Sequence, residues 1–132
     1  MTKICKLKIM FEKRLNFINE MKSTMPGSYP EFPLDISKKA SQQVCRELAL
    51  KGVEEMFEAL QHLKNWKPHR QTDLADEQFD HDEFLEEIVD AFNYFFAMLI
   101  VTGFNEEDLF DAFLVKDEII RERLKNGYWD YF

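Results

Sequence analysis

Glycine, proline and cysteine are all scarce in this chain of 132 residues, with four, four and two copies. So few glycines leave no glycine-rich phosphate loop, which excludes P-loop and dinucleotide-binding folds. Cys5 and Cys45 lie far apart. They form neither a disulfide framework nor a zinc pattern, and they suit free thiols in a reducing cytoplasm. Basic residues number 17 against 25 acidic ones, for a formal net charge of −8, and they form no stripe. That argues against nucleic acid as a partner. It leaves nucleotides open, because Mg²⁺ can bridge acidic side chains and phosphates. The longest apolar run is about half the ~20 residues that a membrane-spanning helix needs. The first residues lead into a charged segment with no evident signal peptide. No membrane partner and a cytoplasmic setting are therefore expected. No segment alternates with period two for long, so no sheet is expected.

What is present is a core. Hydrophobic residues make up 45% of the chain and thirteen are Phe, enough for a globular fold rather than a disordered one. Residues 1–132 read as one domain. Gly and Pro gather between Met25 and Pro33, which marks a loop after an amphipathic stretch from about Leu7 to Met21. Asp35 is placed to N-cap a long helix from about Ile36 to Trp66, ended by Pro68. Lys67 to Asp80 has no periodicity and reads as a loop. Asp80 with Glu83 resembles a capping arrangement for a third helix reaching Thr102, where Gly103 stops it. Asn105 caps a last helix, Glu106 to about Lys125, closed by Gly127. The expectation is an all-α bundle of four to five helices.

Two carboxylate pairs carry the chemistry. Glu55 and Glu58, and Glu87 and Asp90, are each three residues apart, so each pair shares one helix face. Two such helices packed together can aim four carboxylates at one point, the oxygen-rich surroundings that Mg²⁺ requires. On one helix alone, a stripe of Glu47, Lys51, Glu54, Glu55 and Glu58 is most simply a solvated face. The second stripe, Glu83, Glu86, Glu87, Asp90 and Asn93, runs straight into the apolar segment Ala91 to Val101. Carboxylates beside a buried segment need a partner, and two facing acidic stripes repel without a cation between them. A site for Mg²⁺, with Mn²⁺ as a substitute, follows.

Other features carry less. His62, His69 and His81 make no zinc pattern and read as surface or structural residues. Trp66 offers a ring for stacking on a base, although a Trp at a helix end is more often a packing anchor. Lys64, Lys67 and Arg70 flank it on a solvated stretch. Lys116, Arg121, Arg123 and Lys125 follow the acidic start of the last helix, where cations complement the helix dipole in any case.

Taken in order, Glu54-Glu55-x-x-Glu58 followed by Glu86-Glu87-x-x-Asp90 resembles the all-α nucleotide pyrophosphohydrolase superfamily, which includes MazG-like enzymes and the dimeric dUTPases. The run Asp90 to Phe96, then Gly103, then Lys116 through Arg123 to Gly127-Tyr128 is similar to the dimeric dUTPase and phage dCTPase–dUTPase branch. The resemblance covers about Val44 to Tyr128. It implies hydrolysis of a nucleoside triphosphate to monophosphate and pyrophosphate, by a homodimer or homotetramer. Glu55, Glu58, Glu87 and Asp90 would hold more than one Mg²⁺. Glu55, and secondarily Glu54, would orient or deprotonate the attacking water. Lys116 and Arg123 would clamp phosphates, Asn93 would meet the nucleoside, and Tyr128 would either close over the ligand or pack on the bundle. Ile120 stands where the branch carries Asn, and no Gln occupies the corresponding place near Phe11 or Glu12. Those departures point to altered base choice among dNTPs, purines included. The apolar residues Ile9, Phe11, Leu15 and Ile18 of the first helix are expected to supply the interface.

Two other classes compete. A non-catalytic helical interaction module would be expected to lose one or more of the four carboxylates, and all are present. A di-iron bundle would use Glu-x-x-His pairs, whereas the partners here are carboxylates, which favours oxygen-only ligation.

Overall fold

The computed structural model describes residues 3–69 and 79–127. They form four helices and no strand: α1, Lys6–Thr24; α2, Lys39–Leu60; α3, His81–Val101; and α4, Glu106–Lys125. The all-α expectation and the helix count hold. None of these helices is long and apolar enough to cross a membrane.

The helix ends follow from local chemistry. Asp80 accepts a hydrogen bond from the Glu83 backbone N–H at 3.0 Å and so caps α3. At the other end Phe104 N–H donates to the Leu99 carbonyl and Gly103 N–H to that of Ile100, at 2.9 and 3.0 Å. This Schellman arrangement requires the left-handed backbone that Gly103 adopts, φ +90°. Asn105 and Asp108 then cap α4 reciprocally in a full capping box.

α2 departs from expectation at both ends. Asp35 is not its cap. The Asp35 carboxylate instead accepts from the Ser37 N–H at 3.0 Å and the Ser37 hydroxyl at 2.6 Å, closing a local turn. The helix begins at Lys39, with no side-chain cap bond. It also ends at Leu60, well before Trp66, because tight turns take over: His62 N–H donates to Ala59 and Leu63 N–H to Leu60.

α2 and α3 make the main contact. They run antiparallel, with Gly52 opposite Phe95 and Glu58 opposite Glu87. α1 lies on α3 and closes a core of Phe11, Ile18, Leu48, Phe96, Ala97, Ile100 and Val101. The 25–34 loop folds onto this core, tied by the Leu34 N–H to the Val101 carbonyl at 2.7 Å and by an ion pair between Lys22 and Glu31 at 3.0 Å. Among the described elements the backbone of α4 comes close to that of α1 alone; Leu109 packs against the core, and no α4 residue is buried.

The interface expected on α1 must be corrected. Phe11 and Ile18 are buried in the chain's own core and Leu15 packs against it, leaving only Ile9 of that set exposed. These residues recur at the three- and four-residue spacing of an inward-facing helix stripe, and α3 already covers them.

Candidate metal centre

Small residues let α2 and α3 approach each other. Gly52 has no Cβ where the Phe95 ring sits, and Ala59 and Ala91 are fully buried beside the acidic residues. This close approach brings the carboxylates of Glu55, Glu58 and Glu87 together, with one oxygen from each within 4.8 Å of the others. His62, Glu83 and Glu87 form a second group by the same measure, so Glu87 belongs to both.

The electrostatics are those of crowded like charges. The Glu55 carboxyl is pushed above its ordinary value, first by withdrawal from water, then by the charges of Glu58 and Asp90, a hydrogen bond with Glu58, and the charge of Glu87. Glu87 is raised too, by withdrawal from water and then by Glu58 and Asp90, with His62 opposing. None of the ion pairs among the described residues involves these acids. Three carboxylates crowded together, with no ion pair to Lys or Arg among the described residues, are a group that could hold a hard divalent cation, which would supply the missing positive charge.

Beside the trio lies a pocket of about 480 Å³ bordered by Glu55, Asp90 and Asn93, with Lys51 and Glu47 of α2, Arg14 of α1, Tyr29 of the loop and Tyr94 of α3. Asp90 is exposed and stands outside the trio, yet its charge reaches both Glu55 and Glu87. Glu54 is exposed and belongs to neither group. Lys116 and Arg123 sit on α4, and neither borders the pocket. Trp66, 68% exposed, does not border it either. Tyr128 and Arg70 fall outside the described residues.

Sequence reasoning set His62 and Glu83 outside the metal site and did not single out Arg14, Tyr29 or Tyr94. His62 follows Glu58 by four residues and Glu83 precedes Glu87 by four, so an i, i+4 search around each carboxylate pair would have found the second group. Arg14, Tyr29 and Tyr94 reach the pocket through tertiary packing. Compared with known proteins, the chain matches no family model, no curated protein and no solved structure.

Proposed function

We propose that this chain is a Mg²⁺-dependent nucleoside triphosphate diphosphatase, releasing a (deoxy)nucleoside monophosphate and pyrophosphate. The observation that supports it best is the uncompensated Glu55–Glu58–Glu87 trio beside a pocket of nucleotide size. Together with Asp90, these side chains are the ligands assigned to Mg²⁺ or Mn²⁺. The second group, which includes the His62 imidazole, suits Mn²⁺ better than Mg²⁺. A bound cation would neutralise phosphate oxygens and acidify a water.

Glu55 is the only member of the trio that also borders the pocket. It therefore holds the attacking water and takes its proton as oxygen adds to phosphorus and the α–β anhydride bond breaks. Asn93, one turn along from Asp90, meets the sugar side of the nucleotide.

Self-association belongs to the same proposal. Phe110, Phe113 and Leu114 of α4 are exposed, as are Met10 and Phe17 of α1 and Leu85, Val89 and Phe92 of α3. A homodimer or homotetramer covers these faces. Packing between copies would also carry α4, with Lys116 and Arg123, towards a neighbouring pocket. The two free cysteines suit the cytoplasmic setting expected from sequence.

The test is to incubate the protein with each dNTP and NTP, with and without Mg²⁺, and to resolve the products by ion exchange. Monophosphate plus pyrophosphate, formed only with metal, is the expected result. Diphosphate plus phosphate would overturn the bond assignment. No turnover of any nucleotide would favour the non-catalytic interaction module.

A further inference from the structure

Arg14 is an anomaly in the pocket wall. Its guanidinium lies over the Phe17 ring, 4.6 Å from the centroid, and 6.0 Å from the centroid of Tyr94. Its one hydrogen bond among the described residues, from Nη2 to the Tyr29 hydroxyl, is long at 3.5 Å. Its Nε is shut off from water with no acceptor, the only buried side-chain nitrogen or oxygen among the described residues left in that state. Arg14 also takes part in none of the ion pairs among those residues. A half-buried cation with an unpaired N–H is costly unless something completes it.

Nε itself is closed to the pocket that Arg14 borders, so a ligand there would meet the terminal nitrogens of the guanidinium. Glu55 and Asp90 mark one part of the pocket wall, and Tyr94 stands about 6 Å along the helix beyond Asp90. A nucleotide with its phosphates at the carboxylates therefore places its base towards Tyr94, Tyr29 and Arg14. The guanidinium is a planar fork of donors that suits two adjacent acceptors. Guanine presents such a pair in N7 and O6, and cytosine in N3 and O2. Adenine sets a donor beside N7, and uracil and thymine alternate acceptor with donor.

We propose that Arg14 is the specificity-determining residue of this pocket, selecting bases that present two adjacent acceptors, guanine or cytosine, over adenine and uracil. The inference rests on the reading of the carboxylate cluster as a nucleoside triphosphate site. It assigns a recognition group on α1, where this chain lacks the Gln that the resembling branch carries.

The test compares kcat/KM for dGTP, dCTP, dATP and dUTP in the wild type, Arg14→Lys and Arg14→Gln. Wild type should favour dGTP or dCTP over dATP and dUTP by about tenfold or more, and which of the two leads names the base. Arg14→Lys keeps the charge but not the fork, and should lose most of the preference, as should Arg14→Gln. A wild-type preference for dATP or dUTP, which needs no variant to observe, would overturn the proposal. So would a preference that survives in both variants. A uniform loss across all four substrates with the ratios intact would mean that Arg14 touches phosphate, and would overturn it as well. Equilibrium binding of dGMP, dCMP, dAMP and dUMP separates this inference from the hydrolysis reading. If no dNTP is hydrolysed yet dGMP or dCMP binds preferentially through Arg14, base selection stands and the reaction does not. Equal or absent binding of all four overturns base selection.

Discussion

Replacing Gly52 by Ala sets two effects of opposite sign against each other. In a helix interior, Gly→Ala ordinarily stabilises by about 1 kcal/mol. Here an added Cβ would lie 2.5 Å from Phe95 Cε1 and 2.9 Å from both Cδ1 and Cζ. Carbon–carbon contact is optimal at about 3.5–4.0 Å, so the ring and α2 must separate by about 1 Å. Overpacking of this kind costs about 1–3 kcal/mol. The net expectation for Gly52→Ala is destabilisation of about 1 kcal/mol, a fall in Tm of about 3–5 °C for a chain of this size. The effect belongs to the contact, so it should reverse when the ring is gone: in a Phe95→Leu background the same change should stabilise. Thermal unfolding of the four proteins of this double-mutant cycle measures the coupling, expected at about 1–3 kcal/mol. If Gly52→Ala alone raised Tm by several degrees, α2 and α3 would not be in the close contact that brings Glu55 towards Glu87.

Further outcomes follow from the site and the surface. Glu58→Gln should abolish nucleotide turnover while circular dichroism shows an intact fold, and normal turnover would remove Glu58 from the metal ligands. Raised carboxyls at Glu55 and Glu87 favour the metal-free fold below the ordinary glutamate value of 4.5, and that contribution is lost as pH rises through the higher folded values. Mg²⁺ should therefore raise Tm more at pH 7.5 than at pH 5, and equal gains would contradict the cluster's electrostatics. Phe113, 66% exposed on α4, should be covered in an oligomer. Wild type should sediment as a dimer or tetramer and Phe113→Glu as a smaller species, whereas a monomeric wild type would refute self-association. Asn105→Ala removes the side-chain half of the α4 capping box and should cost about 1 kcal/mol in denaturant unfolding.

Much of the fold could be read from local signals. Asp80, Gly103 and Asn105 mark the ends of α3 and α4 because each meets a need of the adjacent backbone, a need the chain states within three or four residues. Asp35 misled for a related reason. A short acceptor can satisfy a nearby turn as well as a helix end, and Ser37, two residues on, took it. The carboxylate spacing put Glu55 and Glu58 on one face, and Glu87 and Asp90 on another. That the two faces meet depends on Gly52, Ala59 and Ala91, whose small size matters only once the helices are opposed. The α1 interface was misplaced because the same apolar stripe serves an internal or an external partner equally well in sequence. Arg14 was invisible for the opposite reason: nothing near it in the chain reports the rings of Tyr94 and Tyr29 against which it is set.

The most direct measurement is titration of Mn²⁺ into the protein, with free ion followed by electron paramagnetic resonance, for wild type, Glu58→Gln and Glu87→Gln. Wild type should take up at least one Mn²⁺, displaceable by Mg²⁺. Glu87→Gln should lose the most affinity, since Glu87 belongs to both groups. If the wild type leaves the ion free, or if both variants bind it as tightly as wild type does, the α2–α3 carboxylates are a solvated acidic face and hold no metal.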